Sequence, residues 1–159
     1  MMVKKYGLEV SEIERIPHLV EEGAFYTSVR ILQEAAEVEH FCRETLKMDK
    51  KAEEYVYLLC FDIKGSVLGL YEISHGDVRS SILSPREICI RALLSGASGM
   101  LIVHNHPSGS TEPSLTDEAI TQRIYEAGVL INVPLIDSII IGTAGHYYSF
   151  REEQKIIFE

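Results

Sequence analysis

Two periods of apolar and polar positions alternate along the chain. From residue 28 to 48, Ile31, Ala35, Val38, Cys42 and Leu46 recur at steps of three or four, with charged residues between them. That spacing predicts a helix with one buried face. Residues 49–53 form a polar connector. Residues 55–62 (YVYLLCFD) are apolar and aromatic, too short for a typical helix, and predict a strand. Lys64-Gly65 marks a turn, and residues 67–74 (VLGLYEIS) return as the second strand of a hairpin. A second turn signal, His75-Gly76-Asp77, leads into a third short strand over residues 78–83.

Ser84-Pro85-Arg86-Glu87 has the pattern of a helix start, with Ser84 at the N-cap, Pro85 at the first helical position and Glu87 at the third. Ile88, Cys89, Ala92 and Leu93 would form the buried stripe, and Ser95-Gly96 the end. Residues 100–103 (MLIV) predict a strand. A further helix is expected after Ser114 and on to Ala127, with Ile120, Ile124 and Ala127 inward and Gly128 as its stop. Pro134 places the start of the next strand just after it, running to Ile141. Gly142-Thr143-Ala144-Gly145 reads as a hairpin turn, with residues 146–150 returning. The tail, 151–159, is polar with one apolar cluster. Residues 1–26 show no sustained period and are expected to form an arm, with a short helical turn around residues 9–14, ahead of a single domain over residues 27–159. The interleaving of strands and helices predicts an α/β (α+β) domain, a mixed β-sheet flanked by helices.

Composition narrows the function. The chain has 159 residues, enough for one sizeable core. Its formal charge is −9, from 24 acidic against 15 basic residues, and no dense Lys/Arg cluster occurs. That balance makes direct DNA binding an unfavoured expectation. No apolar run is long enough to span a membrane. No apolar stretch follows Lys4-Lys5, so no secretory leader is expected. The three cysteines, Cys42, Cys60 and Cys89, are scattered and odd in number, which suits free thiols in a cytoplasmic protein. No G-x-S-x-G elbow is present, nor the H-x-E and P-C-x-x-C pair of the zinc nucleobase deaminases.

The chemistry concentrates in residues 100–117, MLIVHNHPSGSTEPSLTD. On a strand, residues i and i+2 share a face, so His104 and His106 can present two imidazoles side by side. The Pro-Ser-Gly turn after them can bring a carboxylate back. Two imidazoles and a carboxylate make the ligand set of an open catalytic zinc site. Each member also has a plainer reading. Ser114-x-x-Asp117 fits a capping box, and a histidine at a strand end is often just a polar edge residue.

The string H-x-H-x7-S-x2-D matches the JAMM motif of the JAB/MPN zinc metalloproteases, and HNHPSG followed by PSxxD resembles the RadC branch of that superfamily. Residues 84–87 resemble its PRE signature, residues 135–142 (LIDSIIIG) its segment before the last hairpin, and residues 148–150 its terminal strand. The likeness covers residues 28–150. It implies a cytidine-deaminase-like/MPN fold, with Zn²⁺ held by His104, His106 and Asp117. It also implies that Ser114 stabilises an oxyanion and that an upstream glutamate acts as general base. Glu54 stands at the edge of the first hairpin strand, where the superfamily places that base. Glu87 and Glu72 remain alternatives, and Glu53 is the neighbouring register. The implied activity is a metallopeptidase-type hydrolysis of an unidentified peptide or protein substrate. The alternative is a non-catalytic module in DNA repair, the label RadC-like proteins carry. The resemblance leads to the expectation of a short form without the helix-hairpin-helix region of longer members. The chain also has Asp137-Ser138 where Asp-His is common, which puts catalytic competence in question. Homo-oligomerisation is left open.

Overall fold

A computed structural model describes residues 1–76 and 83–156. Its central element is the strand β5, Gly99–Asn105, buried along its whole length. That burial explains the unbroken apolar run before the histidines, since both faces of β5 are covered. On one side β5 pairs antiparallel with β3, Glu54–Phe61; on the other it pairs parallel with β6, Leu135–Ile141. β4, Val67–Gly76, completes the hairpin with β3, and β7, Tyr147–Ser149, pairs antiparallel with β6. With β1, Met2–Val10, and β2, Pro17–Tyr26, the mixed sheet has the order β2-β1-β4-β3-β5-β6-β7.

Helices cover both faces. The helix α1, Ala35–Glu44, packs Val38, Phe41 and Cys42 against Leu59, Phe61, Leu101, Val103, Ile139 and Ile141. On the opposite face α2, Pro85–Leu94, and α3, Leu115–Leu130, bring Ile88, Ala92 and Ile124 onto Val56, Leu58, Cys60, Met100, Ile102 and Leu135. Alternation along β5 therefore sends Leu101 and Val103 toward α1, and Met100 and Ile102 toward α2 and α3. This is the expected mixed sheet flanked by helices. Cys42 and Cys60 are buried and Cys89 half-buried, all free thiols. No helix of the described residues is long and apolar enough to cross a membrane.

Several elements differ from the sequence expectation. Residues 2–26 form a two-stranded hairpin that joins the sheet where Lys5 of β1 meets Leu70 of β4 in parallel register. Glu9 and Val10 belong to β1, and the expected helical turn reduces to a tight turn in which Arg15 N–H donates to the Ser11 carbonyl. The hairpin escaped notice because Val3 alone of β1 and β2 is fully buried, so no period-two burial marks it.

The first helix begins only at Ala35. Ahead of it, Val29 and Leu32 are buried while Ile31 is exposed, which a helix over residues 28–48 would not produce. Side chains tie this stretch instead: Val29 N–H donates to Thr27 Oγ1, and the Gln33 carbonyl accepts from Arg151. The helix ends at Glu44, Lys47 beyond it takes a positive φ, and residues Met48–Lys50 form a 3-10 turn across the expected boundary of helix and connector.

His75 and Gly76 are still strand residues, paired with Tyr55 and Glu54. Of the third strand expected over 78–83, residues 78–82 lie outside the described residues, and Leu83 carries no regular structure.

Ser84 is the N-cap of α2, but its side chain makes no capping bond. Glu87 instead pairs with Arg86 and Arg91. Ile88 and Ala92 are buried as expected, whereas Leu93 is exposed. Gly128 does not stop α3, which runs on to Leu130. A Cβ at Gly128 would stand 2.7 Å from the Val133 carbonyl oxygen and 2.9 Å from the Met100 terminal methyl. The glycine is there for close packing, and the chain turns at Asn132, where φ is positive.

Candidate metal centre

His104 and His106 stand at the carboxyl end of β5 and just beyond it, where the chain leaves the sheet. Because His104 continues the Met100–Ile102 face, it points toward α3 rather than α1. The turn after His106 closes with Gly109 N–H donating to the His106 carbonyl at 2.8 Å, and Gly109 takes φ +80°, a left-handed conformation that suits glycine. The chain then reaches Ser114, the N-cap of α3, and the first turn of that helix presents Asp117.

The side chains converge. His104 Nε2 stands 3.2 Å from His106 Nε2 and 3.4 Å from Asp117 Oδ1, and His106 Nε2 stands 3.5 Å from Asp117 Oδ2. A tetrahedral zinc ion with bonds of about 2.0–2.1 Å sets its ligand atoms about 3.3–3.4 Å apart. His104 Nε2 has that spacing to both His106 Nε2 and Asp117 Oδ1, so the group could hold a metal ion such as zinc. His106 Nδ1 lies 3.0 Å from the Ser110 carbonyl. With Nδ1 donating to that carbonyl, His106 would offer its Nε2 lone pair to a metal once the Nε2 proton is released.

Ser114 and Asp117 form a complete capping box. Asp117 N–H donates to Ser114 Oγ at 3.1 Å, and Ser114 N–H donates to Asp117 Oδ2 at 2.8 Å. The Ser114 hydroxyl also donates to Oδ2, at 2.6 Å. Oδ2 is thereby fixed by two donors. Burial pushes the Asp117 carboxyl up, but hydrogen bonds from the two imidazoles outweigh it and hold the group well below the usual carboxylate range. The Asp117 hydrogen bond in turn raises His106, against burial. The centre therefore favours an ionised carboxylate, the form in which aspartate binds metal.

Of the four glutamates considered from sequence, the structure brings Glu54 to this group. Glu54 opens β3, is only 8% exposed, and lines the same cleft as His104, His106 and Asp117. Burial raises its carboxyl above the ordinary range; His104 opposes that shift and Asp117 adds to it. Glu87 lies on α2 and is held below the ordinary range chiefly by its bond to Arg91. Glu72 is engaged by His75, Lys5 and Tyr57. Neither Glu87, Glu72 nor Glu53 lines the cleft.

One contributor was missed from sequence. Asn105, between the two histidines and 1% exposed, accepts from Tyr55 N–H at 2.8 Å and donates to the Glu53 carbonyl at 3.0 Å. Its amide thus grips the backbone on either side of Glu54 and sets that residue's place relative to the histidines. The signal available was a polar residue at the end of a fully apolar strand. Ser138 is buried on β6 and accepts from Thr121 Oγ1 at 3.3 Å, and both line the cleft. The buried acid beside it, Asp137, accepts from Ser138 N–H, Ser149 Oγ and Arg151 N–H, and ties β6 to β7 rather than serving the centre.

Comparison with known proteins agrees with this architecture. The model of the RadC-like JAB domain matches residues 32–155. The chain belongs to the RadC-like JAB domain family. A UPF0758 protein of Thermotoga maritima is 34% identical over 145 residues, covering 91% of this chain and 58% of the relative. One of Clostridioides difficile is 32% identical over 154 residues, covering 94% and 64%. One of Clostridium acetobutylicum is 40% identical over 101 residues, covering 64% and 44%. The chain thus spans between 44% and 64% of the length of these RadC-family relatives.

Proposed function

We propose that this RadC-like domain is a zinc-dependent hydrolase that cleaves an amide bond in a peptide or protein substrate. The observation that carries this reading is the place of Glu54, a buried carboxylate in the same cleft as three converging metal donors. His104, His106 and Asp117 would hold the ion and leave its fourth position open. Zinc bound there would supply a Lewis acid and bring the pKa of a water to about 7. Glu54 takes the proton from the attacking water and passes it to the leaving amine. Asn105 keeps Glu54 in place by holding the backbone on both sides of it. Ser114 Oγ holds Asp117 Oδ2 as the structure stands, and reaches an oxyanion only by giving up that bond. The unpaired thiols suit a reducing, cytoplasmic setting.

The direct test is amide hydrolysis by the zinc-loaded chain, with peptides and lysine isopeptides as substrates. Glu54→Gln is expected to lower the rate about 10²–10⁴-fold while zinc content stays the same. A variant that hydrolyses as fast as the native chain would remove Glu54 from the mechanism.

A further inference from the structure

The cleft extends from the metal donors along one flank of α3. Thr116, Ile120 and Arg123 line it, and their i, i+4, i+7 spacing places them in one row on that helix. The cleft has a volume of about 950 Å³, large enough for several residues of a peptide. Arg123 is the one arginine or lysine among the described residues that line it. Its guanidinium makes no hydrogen bond or ion pair with any of the described residues. Arg91, by contrast, is held by Glu87 on α2.

We propose that Arg123 binds a carboxylate of the substrate and so directs the hydrolase to peptides that carry one close to the scissile bond. The proposal rests on the hydrolase reading above. A guanidinium presents a planar fork of donors that matches a carboxylate in two parallel hydrogen bonds. The fork is planar and carries one charge, so a planar, singly charged carboxylate matches it one to one. Arg123 lies six residues beyond Asp117 on α3, about 9 Å along the helix axis. That distance equals roughly two to three residues of extended chain. The carboxylate is therefore either the substrate's own C-terminus or an acidic side chain, two to three residues from the bond that is cut.

Calorimetric titration of the zinc-loaded Glu54→Gln chain, in which turnover is suppressed, separates these cases. The probes are N-acetylated tetra-alanine as its C-terminal amide, the same peptide with a free carboxylate, and the amide with one glutamate moved through each position. At least one carboxylate probe is expected to bind about tenfold tighter than the neutral amide, and which one it is names the source. Adding Arg123→Gln should abolish the difference, and Arg123→Glu should transfer the preference to a lysine-bearing probe. A carboxylate preference that survives Arg123→Gln overturns the proposal, because the metal centre then holds the anion. Equal binding of all probes also overturns it. Zinc measured in the same samples tells the two readings apart. One zinc per chain with no carboxylate preference refutes the role of Arg123 and leaves the hydrolase standing; no zinc refutes both.

Discussion

A single hydroxyl, that of Ser114, engages both the start of α3 and Asp117, a candidate metal ligand. It accepts from Asp117 N–H as an N-cap and donates to Asp117 Oδ2. Ser114→Ala removes both bonds. The lost cap should cost about 1 kcal/mol of folding stability, read as a fall in Tm. Loss of the donor that orients a ligand should weaken zinc about 10–100-fold, read by competition with a chelator of known affinity. A fall in stability with unchanged zinc affinity would reduce Ser114 to a cap. At this scale the sequence was informative where chemistry follows local spacing. His104 and His106 share a strand face, and Ser114 and Asp117 are three apart. The plain capping reading and the metal reading of that pair turned out to be compatible. Asn105 was not legible, because its partners Glu53 and Tyr55 lie some fifty positions away and only strand pairing brings them near.

At the scale of elements, tertiary contact decided where local rules failed. Gly128 looks like a helix stop, yet α3 continues through it because the strand that follows passes close by. Helix propensity alone predicts that Gly128→Ala would stabilise by about 1 kcal/mol. Packing predicts the opposite. The new Cβ would meet backbone oxygen at 2.7 Å, and overpacking of this kind costs about 1–3 kcal/mol. Chemical denaturation of the variant distinguishes the two by sign. The same kind of contact shortened α1, whose period continues in sequence through residues that Thr27 and Arg151 hold in a non-helical path. The β3–β4 hairpin, β5 and β6 were legible because each is apolar, short and bounded by turn residues. The β1–β2 hairpin was not, since most of its residues face solvent or are only half buried.

At the scale of the whole molecule, the sheet is what makes the centre. β3 and β5 are antiparallel neighbours, and Val56 pairs with His104. The beginning of β3 therefore lies beside the end of β5, and Glu54 arrives where the two histidines leave the sheet. α3 then packs back across the same face and delivers Asp117 from its first turn. Three separate stretches of chain thus meet at one cleft, and none of them holds the whole site. The most direct test is the metal itself, by elemental analysis and X-ray absorption of the zinc-loaded chain after excess metal is removed. One zinc per chain is predicted, with nitrogen and oxygen ligands at about 2.0–2.2 Å, retained in Glu54→Gln and lost in His104→Ala and Asp117→Ala. A chain that emerges without zinc, or that keeps it after His104→Ala, would contradict the account.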